Sequence, residues 1–210
     1  MYDNITVFTH SAIRIAGEKV LYFDPFQMTE EPCDADILFV THDHYDHWSP
    51  EDAARVIASQ TVLVVPIHLL EGAKEAFPSH EVVGLESGDK VEVCGLAVEA
   101  VPAYNLGKDF HKREYGGLGY LVMMDGVGYY VSGDTDDTPE IEAISCDVAL
   151  VPIGGTYTMT PSEAARAINM MRPRAVIPTH YGSIVGKKGD FDEFAPGVDE
   201  GIAVVKKLFL

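Results

Sequence analysis

The sequence is short of positive charge: 15 Lys and Arg face 33 Asp and Glu, a formal net charge of −18 with neutral histidine. That balance argues against non-specific binding to nucleic acid or to an anionic membrane, because phosphate contacts need a basic face. Cysteine is scarce as well. Cys33, Cys94 and Cys146 are far apart and odd in number, so they form neither a CxxC zinc motif nor a disulfide framework. Reduced thiols in a cytoplasmic protein are the expectation. No apolar run approaches the roughly 18 residues of a membrane span. The opening Met1-Tyr2-Asp3-Asn4 lacks the basic flank and apolar stretch of a signal peptide. Linkers and low-complexity tracts are also missing. The 210 residues, 47% of them hydrophobic, are expected to form one domain over 1–210 with a sizeable core. A small-molecule substrate is the expected partner, with homo-oligomerisation left open.

Histidine is concentrated instead of scattered. Three of the eight fall within six positions, in Thr41-His42-Asp43-His44-Tyr45-Asp46-His47. Before this stretch runs Ile37–Val40, which reads as a buried strand. After it, Ser49-Pro50 is a helix start, with an oxygen-bearing cap followed by proline at the first helical position. An alanine-rich helix is predicted over 51–59. Three imidazoles and a carboxylate thus occupy a loop between a strand's C-terminal end and a helix, where α/β proteins carry function. Imidazole with carboxylate suits zinc, iron and manganese. In an extended loop His42 and His44 point the same way and can share one ion. Asp46 and His47 can serve a second, since paired hydrolytic ions lie about 3.5–4 Å apart.

Along the chain, Ile5–Phe8, Ala12–Ile15 and Lys19–Phe23 read as strands, followed by a turn at Asp24-Pro25. Beyond the histidine loop come a strand at Thr61–Val65, a helix at Ile67–Ala76, and strands at Glu81–Leu85, Lys90–Val93 and Leu96–Val101. His68 and His80 are read as surface or helix-end residues. Leu118–Met124 and Val127–Val131 form a hairpin across Asp125-Gly126. A short helix over Pro139–Ile144 precedes a strand at Asp147–Val151. The helix Pro161–Met171 carries a capping box, Thr160 with Glu163. Ala175–Pro178 is a strand, 186–201 is loop-like, and Ile202–Leu208 closes as a strand. Each half repeats a β-rich block followed by β-loop-α units. Two sheets packed face to face with helices outside would bury these strands.

His-x-His-x-Asp-His after a strand resembles the signature of the metallo-β-lactamase superfamily. Gly133-Asp134-Thr135 and Thr179-His180-Tyr181, each at a strand end, follow in the right order. The resemblance implies a four-layer αββα sandwich, two mixed sheets flanked by helices, with the site at one edge between the sheets. It implies two divalent ions, zinc first, with manganese or iron as alternatives. His42, His44 and Asp134 would serve one ion, and Asp46, His47, Asp134 and His180 the other, with Asp134 bridging. Asp24 would support the loop from beneath. Further segments, among them Thr9-His10-Ser11 and Val151-Pro152-Ile153-Gly154-Gly155, are similar to the branch of ascorbate-6-phosphate lactonase.

One position departs from that pattern. Where a further histidine is expected after Leu96–Val101, the chain has Asn105, a weaker donor, so the first ion is expected to be loosely held or completed by another residue. His111, in Lys108-Asp109-Phe110-His111-Lys112-Arg113, is expected in or at the mouth of the metal pocket, on a flap flanked by glycines. It is open whether it completes the first ion, contacts substrate or faces solvent. Asn105, His111, Tyr157 and His10 are grouped as substrate-side candidates, and Asp46 and His44 as catalytic ones. The implied function is hydrolysis by a metal-bound hydroxide of a small, anionic lactone, ester or phosphodiester. Two divalent ions, two carboxylates and hydroxide leave about one positive charge in the pocket. An iron-dependent redox enzyme and a catalytically weak binding or sensor protein are the alternatives.

Overall fold

The computed structural model describes residues 2–208. Met1, Phe209 and Leu210, which belong to the expected 1–210 domain, lie outside the described residues. Two mixed sheets stack face to face. In the first, β1 (Ile5–Val7), β2 (Ile13–Ala16) and β3 (Val20–Phe23) form an antiparallel meander. β4 (Ala35–Phe39), β5 (Ile57–Pro66) and β6 (Glu81–Leu85) then add in parallel. The second repeats the plan. β7 (Lys90–Val93), β8 (Leu96–Pro102), β9 (Leu118–Met124) and β10 (Val127–Val131) run antiparallel, and β11 (Val148–Pro152), β12 (Ala175–Thr179) and β13 (Ala203–Val204) follow in parallel.

Burial follows from this plan. β11 and β12, covered on both faces, are buried at every position, as parallel strands under helices must be. The inner faces interdigitate through Phe23, Phe39 and Tyr120. Phe23 and Phe39 stack at 4.7 Å, and Tyr120 meets Phe39 at 5.0 Å. The Tyr120 hydroxyl donates to the Val40 carbonyl at 2.7 Å, tying the second sheet to the residue that opens the histidine loop. On the outer side of the first sheet lie α1 (Pro50–Val56), through Ala53 and Val56 against Leu38 and Leu63, and α2 (Leu70–Ala76) against β5 and β6. On the second lie α3 (Pro139–Glu142), α4 (Pro161–Met171) and α5 (Asp190–Phe194). This is the expected αββα order.

Three predicted elements are revised. The helix over 51–59 stops at Val56, and Ile57 enters β5 opposite Ala35. Strand pairing, with Thr61 Oγ1 accepting from the Ala58 amide at 2.8 Å, overrides the alanine propensity there. The 186–201 loop contains α5, whose Phe194 is fully buried; its glycines and acidic residues masked that anchor. The closing strand is reduced to Ala203–Val204. The Asp125-Gly126 turn has positive φ at both residues, 53° and 74°, as a two-residue hairpin of this type requires.

Candidate metal centre

The histidine loop leaves β4 at the rim between the sheets. Asp24, at the end of β3, accepts from the Thr41 amide at 2.8 Å, the Thr41 hydroxyl at 2.6 Å and His47 Nδ1 at 2.7 Å. Its role beneath the loop is therefore support. These bonds also fix the tautomers. A carboxylate accepts only, so His47 carries its proton on Nδ1 and turns Nε2 inward. The single Thr41 proton goes to Asp24. Its oxygen then accepts from His42 Nδ1 at 3.0 Å, leaving a lone pair on His42 Nε2.

Two donor groups result. His42 Nε2 lies 3.1 Å from His44 Nδ1, which lies 3.0 Å from His111 Nε2. The second group comprises Asp46, His47 and His180, with His10 behind Asp46. Asp134, delivered by the loop after β10, stands between them. Its Oδ2 is 3.0 Å from His180 Nε2, 3.4 Å from His111 Nε2 and 4.0 Å from His42 Nε2, while Oδ1 is 3.4 Å from His47 Nε2. His47 Nε2, His180 Nε2 and Asp134 Oδ1 are buried and have no hydrogen-bond partner. Among the described residues these nitrogen and oxygen atoms face one another without a protein hydrogen-bond partner, and such a set fits divalent ions.

Electrostatics agrees with that fit. Burial opposes ionisation of Asp134, but His180 and His47 outweigh it and hold the carboxyl well below its usual range. Burial lowers His42 and His111, which keeps both rings neutral with free lone pairs. Burial likewise opposes charge on His47, yet Asp134 and Asp24 push it up to about 9. A proton on Nε2 therefore occupies the place a cation would take.

The Beta-lactamase superfamily domain matches residues 4–180 of this sequence. The chain belongs to the β-lactamase superfamily. It is 33% identical over 210 residues to a UPF0173 metal-dependent hydrolase of Pyrococcus abyssi, covering 93% of this chain and 92% of that one. A UPF0173 metal-dependent hydrolase of Thermococcus onnurineus is 31% identical over 210 residues, with the same coverage. A crystal structure from Parabacteroides distasonis is 29% identical, covers 98% of this chain and 93% of its own, and superposes with a TM-score of 0.79.

The structure departs from the expected residue roles at two places, Asn105 and His10. Asn105 is buried and does not line the cavity. Both its amide hydrogens are spent, on the Tyr157 carbonyl at 2.6 Å and the Phe110 carbonyl at 3.0 Å. It anchors a loop, since its amide N–H donates to the His111 carbonyl at 2.7 Å. That closure, with His111 at φ +52°, swings the His111 ring into the first donor group. His111 Nδ1 donates to the Tyr157 carbonyl at 3.1 Å, which leaves Nε2 free to bind. Of the three readings left open for His111, the geometry puts its ring among the donors and on the cavity lining, not in solvent. The flap is fastened further by Lys108, bound to Asp136 and the Thr158 carbonyl, and by the Leu106 amide on Asp136 at 2.8 Å. His10 is fully buried, donating from Nε2 to Asp46 at 3.0 Å and stacking on His180 at 3.8 Å, so a substrate cannot touch it. His44 lines the cavity, with its Nδ1 within 3.1 Å of both His42 Nε2 and His111 Nε2. Tyr157 does line the cavity, as expected. His80 donates to or accepts from nothing in the cluster; its ring meets the Ala58 carbonyl at 3.0 Å.

Above the donors opens a cavity of about 530 Å³. His44, Asp46, His111, Asp134 and His180 form its floor, and its walls come from the loops after β11 and β12 and from the histidine loop itself. Sequence reasoning missed the wall residues Ile184 and Val185, because an apolar pair in a glycine-rich loop carries no periodic signal.

Proposed function

We propose that this metal-dependent hydrolase cleaves a lactone or other ester, or a phosphodiester, of a small molecule with two zinc ions bound. The observation that supports this reading is the convergence of unpartnered buried donors at the floor of an open cavity. His42, His44, His111 and Asp134 would hold one ion, and Asp46, His47, His180 and Asp134 the other. Manganese or iron would accept the same donors. The ions would supply Lewis acidity and a water acidified to near neutral pH.

The protein's own groups do the rest. Asp46 lines the cavity floor, and His10 holds its Oδ2 by a 3.0 Å hydrogen bond. Burial opposes its charge, but that bond and the nearby His47 lower its pKa, so it is ionised at neutral pH. It would accept a proton from the attacking water and return it to the leaving oxygen. Asp24 and Thr41 fix the imidazoles so that no reorientation accompanies the reaction.

The test is a panel of γ-butyrolactone, 4-nitrophenyl acetate and bis(4-nitrophenyl) phosphate, each with zinc-loaded and chelator-treated protein. Turnover of at least one, abolished by chelation and reduced about 100-fold or more in Asp46→Asn, is expected. No turnover of any member by protein carrying two zinc ions would contradict the reading.

A further inference from the structure

Resting on the ester half of the hydrolase reading above, since a phosphodiester is itself anionic, we infer that the substrate is uncharged before cleavage and carries an apolar aryl or branched alkyl group beside the scissile ester. Beside the donors, the 530 Å³ cavity is lined by Tyr45, Phe110, Tyr157, Ile184 and Val185. Tyr45, Phe110 and Ile184 are 67%, 49% and 41% exposed. Single exposed apolar side chains are ordinary, but several gathered on one concave mouth mark a recognition surface. Two of the rings are braced from the side. Phe110 meets Tyr157 edge-on at 4.7 Å, and Tyr45 meets Phe26 edge-on at 6.0 Å. Braced rings lose little freedom when a ligand packs on them.

Charge points the same way. The ionisable side chains lining this cavity, tyrosine phenols aside, are the donors themselves. The cations expected to draw an anion are elsewhere. Lys108 is bound to Asp136 and the Thr158 carbonyl. Arg113 pairs with Glu140 at 2.8 Å and lies over the Tyr104 ring at 4.8 Å. Lys112 shares a side cleft with His42, His44, His111 and Asp134, but at about 20 Å³ that cleft has room for about one water and not for a substrate's anionic group. Lys187 and Lys188 are exposed and outside the lining. A second anionic group on the substrate would therefore meet rings and aliphatic carbons, on a molecule whose net charge of −18 repels it at a distance. Ester cleavage turns such a neutral substrate into an alcohol and a carboxylate, and once outside the pocket the carboxylate is repelled by the chain's net charge.

The experiment uses the zinc-loaded full chain. It compares 4-nitrophenyl acetate, butyrate and hexanoate with the 4-nitrophenyl monoester of succinate. Calorimetry with 4-phenylbutyrate and glutarate gives a binding readout independent of turnover. kcat/KM is expected to rise by about fourfold per buried methylene along the acyl series, and the succinate monoester to fall at least tenfold below the butyrate. 4-Phenylbutyrate should bind at least tenfold more tightly than glutarate. Phe110→Ala and Ile184→Asp should flatten both preferences while zinc content stays at the wild-type value. A flat acyl series, or equal preference for the charged ester, would overturn the inference and leave the hydrolase reading standing. If the zinc-loaded protein cleaves no ester, the ester-hydrolase reading fails and calorimetry alone decides. Tight 4-phenylbutyrate binding lost in Phe110→Ala supports the apolar pocket, and equal binding of both acids overturns it.

Discussion

Asp24 shows how much one residue holds. Three donors converge on its buried carboxylate, two from Thr41 and one from His47. Asp24→Ala strands all three in a site closed to water. The expected cost is about 3–5 kcal/mol, as for other broken buried charge pairs, together with loss of metal from the His47 side. Chemical denaturation and metal content would check it; a loss under 1 kcal/mol would show that the loop holds itself. The thiols give a second residue-scale prediction. Burial pushes Cys146 up to about 12, so roughly one thiol in 10⁴ is ionised at pH 8. Cys33 and Cys94 are exposed. A disulfide-exchange reagent should titrate two thiols per native chain rapidly and the third only on unfolding. At this scale the histidine loop, Asp134 and His180 were legible in the sequence because each sits where a strand ends. His111 was legible only as a candidate. Its position depends on the closure between its carbonyl and the Asn105 amide, a contact that no periodicity announces.

Among the elements, the loop over 105–111 does the unusual work. Where the resembled pattern places a histidine, Asn105 uses its side-chain amide hydrogens to fix the Tyr157 and Phe110 carbonyls. The ring arrives six positions later. Asn105→Ala should therefore weaken the first ion by about 10–100-fold without removing a ligand, as for other residues that orient ligands from behind. Competition with a chelator of known affinity measures it, and an unchanged affinity would detach Asn105 from the site. The loop after β11 makes the complementary case. A Cβ on Gly154 would lie 2.2 Å from the His180 carbonyl oxygen, a backbone atom that cannot step aside. Gly154→Ala should displace His180 and weaken the second ion selectively. Strand identity at this scale was legible from alternation and β-branching. The ends of the helices at Met171 and Ala76 were legible too, but that of the helix after Pro50 was not, because the alanine-rich segment is taken into β5 by pairing with β4, a tertiary effect.

For the molecule as a whole, the donors come from both halves. The first sheet and its loops supply His42, His44, Asp46 and His47, with His10 and Asp24 behind them; the second supplies His111, Asp134 and His180. The two-sheet architecture was readable from the repeated order of β-rich block and β-loop-α units. The apolar cavity wall was not, because it is assembled from loops that meet only in the fold. Ions bound at this seam would cross-link the sheets. At concentrations about 100-fold above Kd, two ions contribute roughly 5 kcal/mol, which for a chain of this size corresponds to a rise in Tm on the order of 10 °C or more. Chelation should reverse that shift.

The account rests on a shared carboxylate between two ion sites, the first completed by His111. Zinc per chain, measured by mass spectrometry after gel filtration, tests this most directly. Wild type should carry two ions, His111→Ala and His180→Ala one each, and Asp134→Ala close to none, all with a folded circular-dichroism spectrum. Two ions retained in folded His111→Ala, or in folded Asp134→Ala, would contradict it.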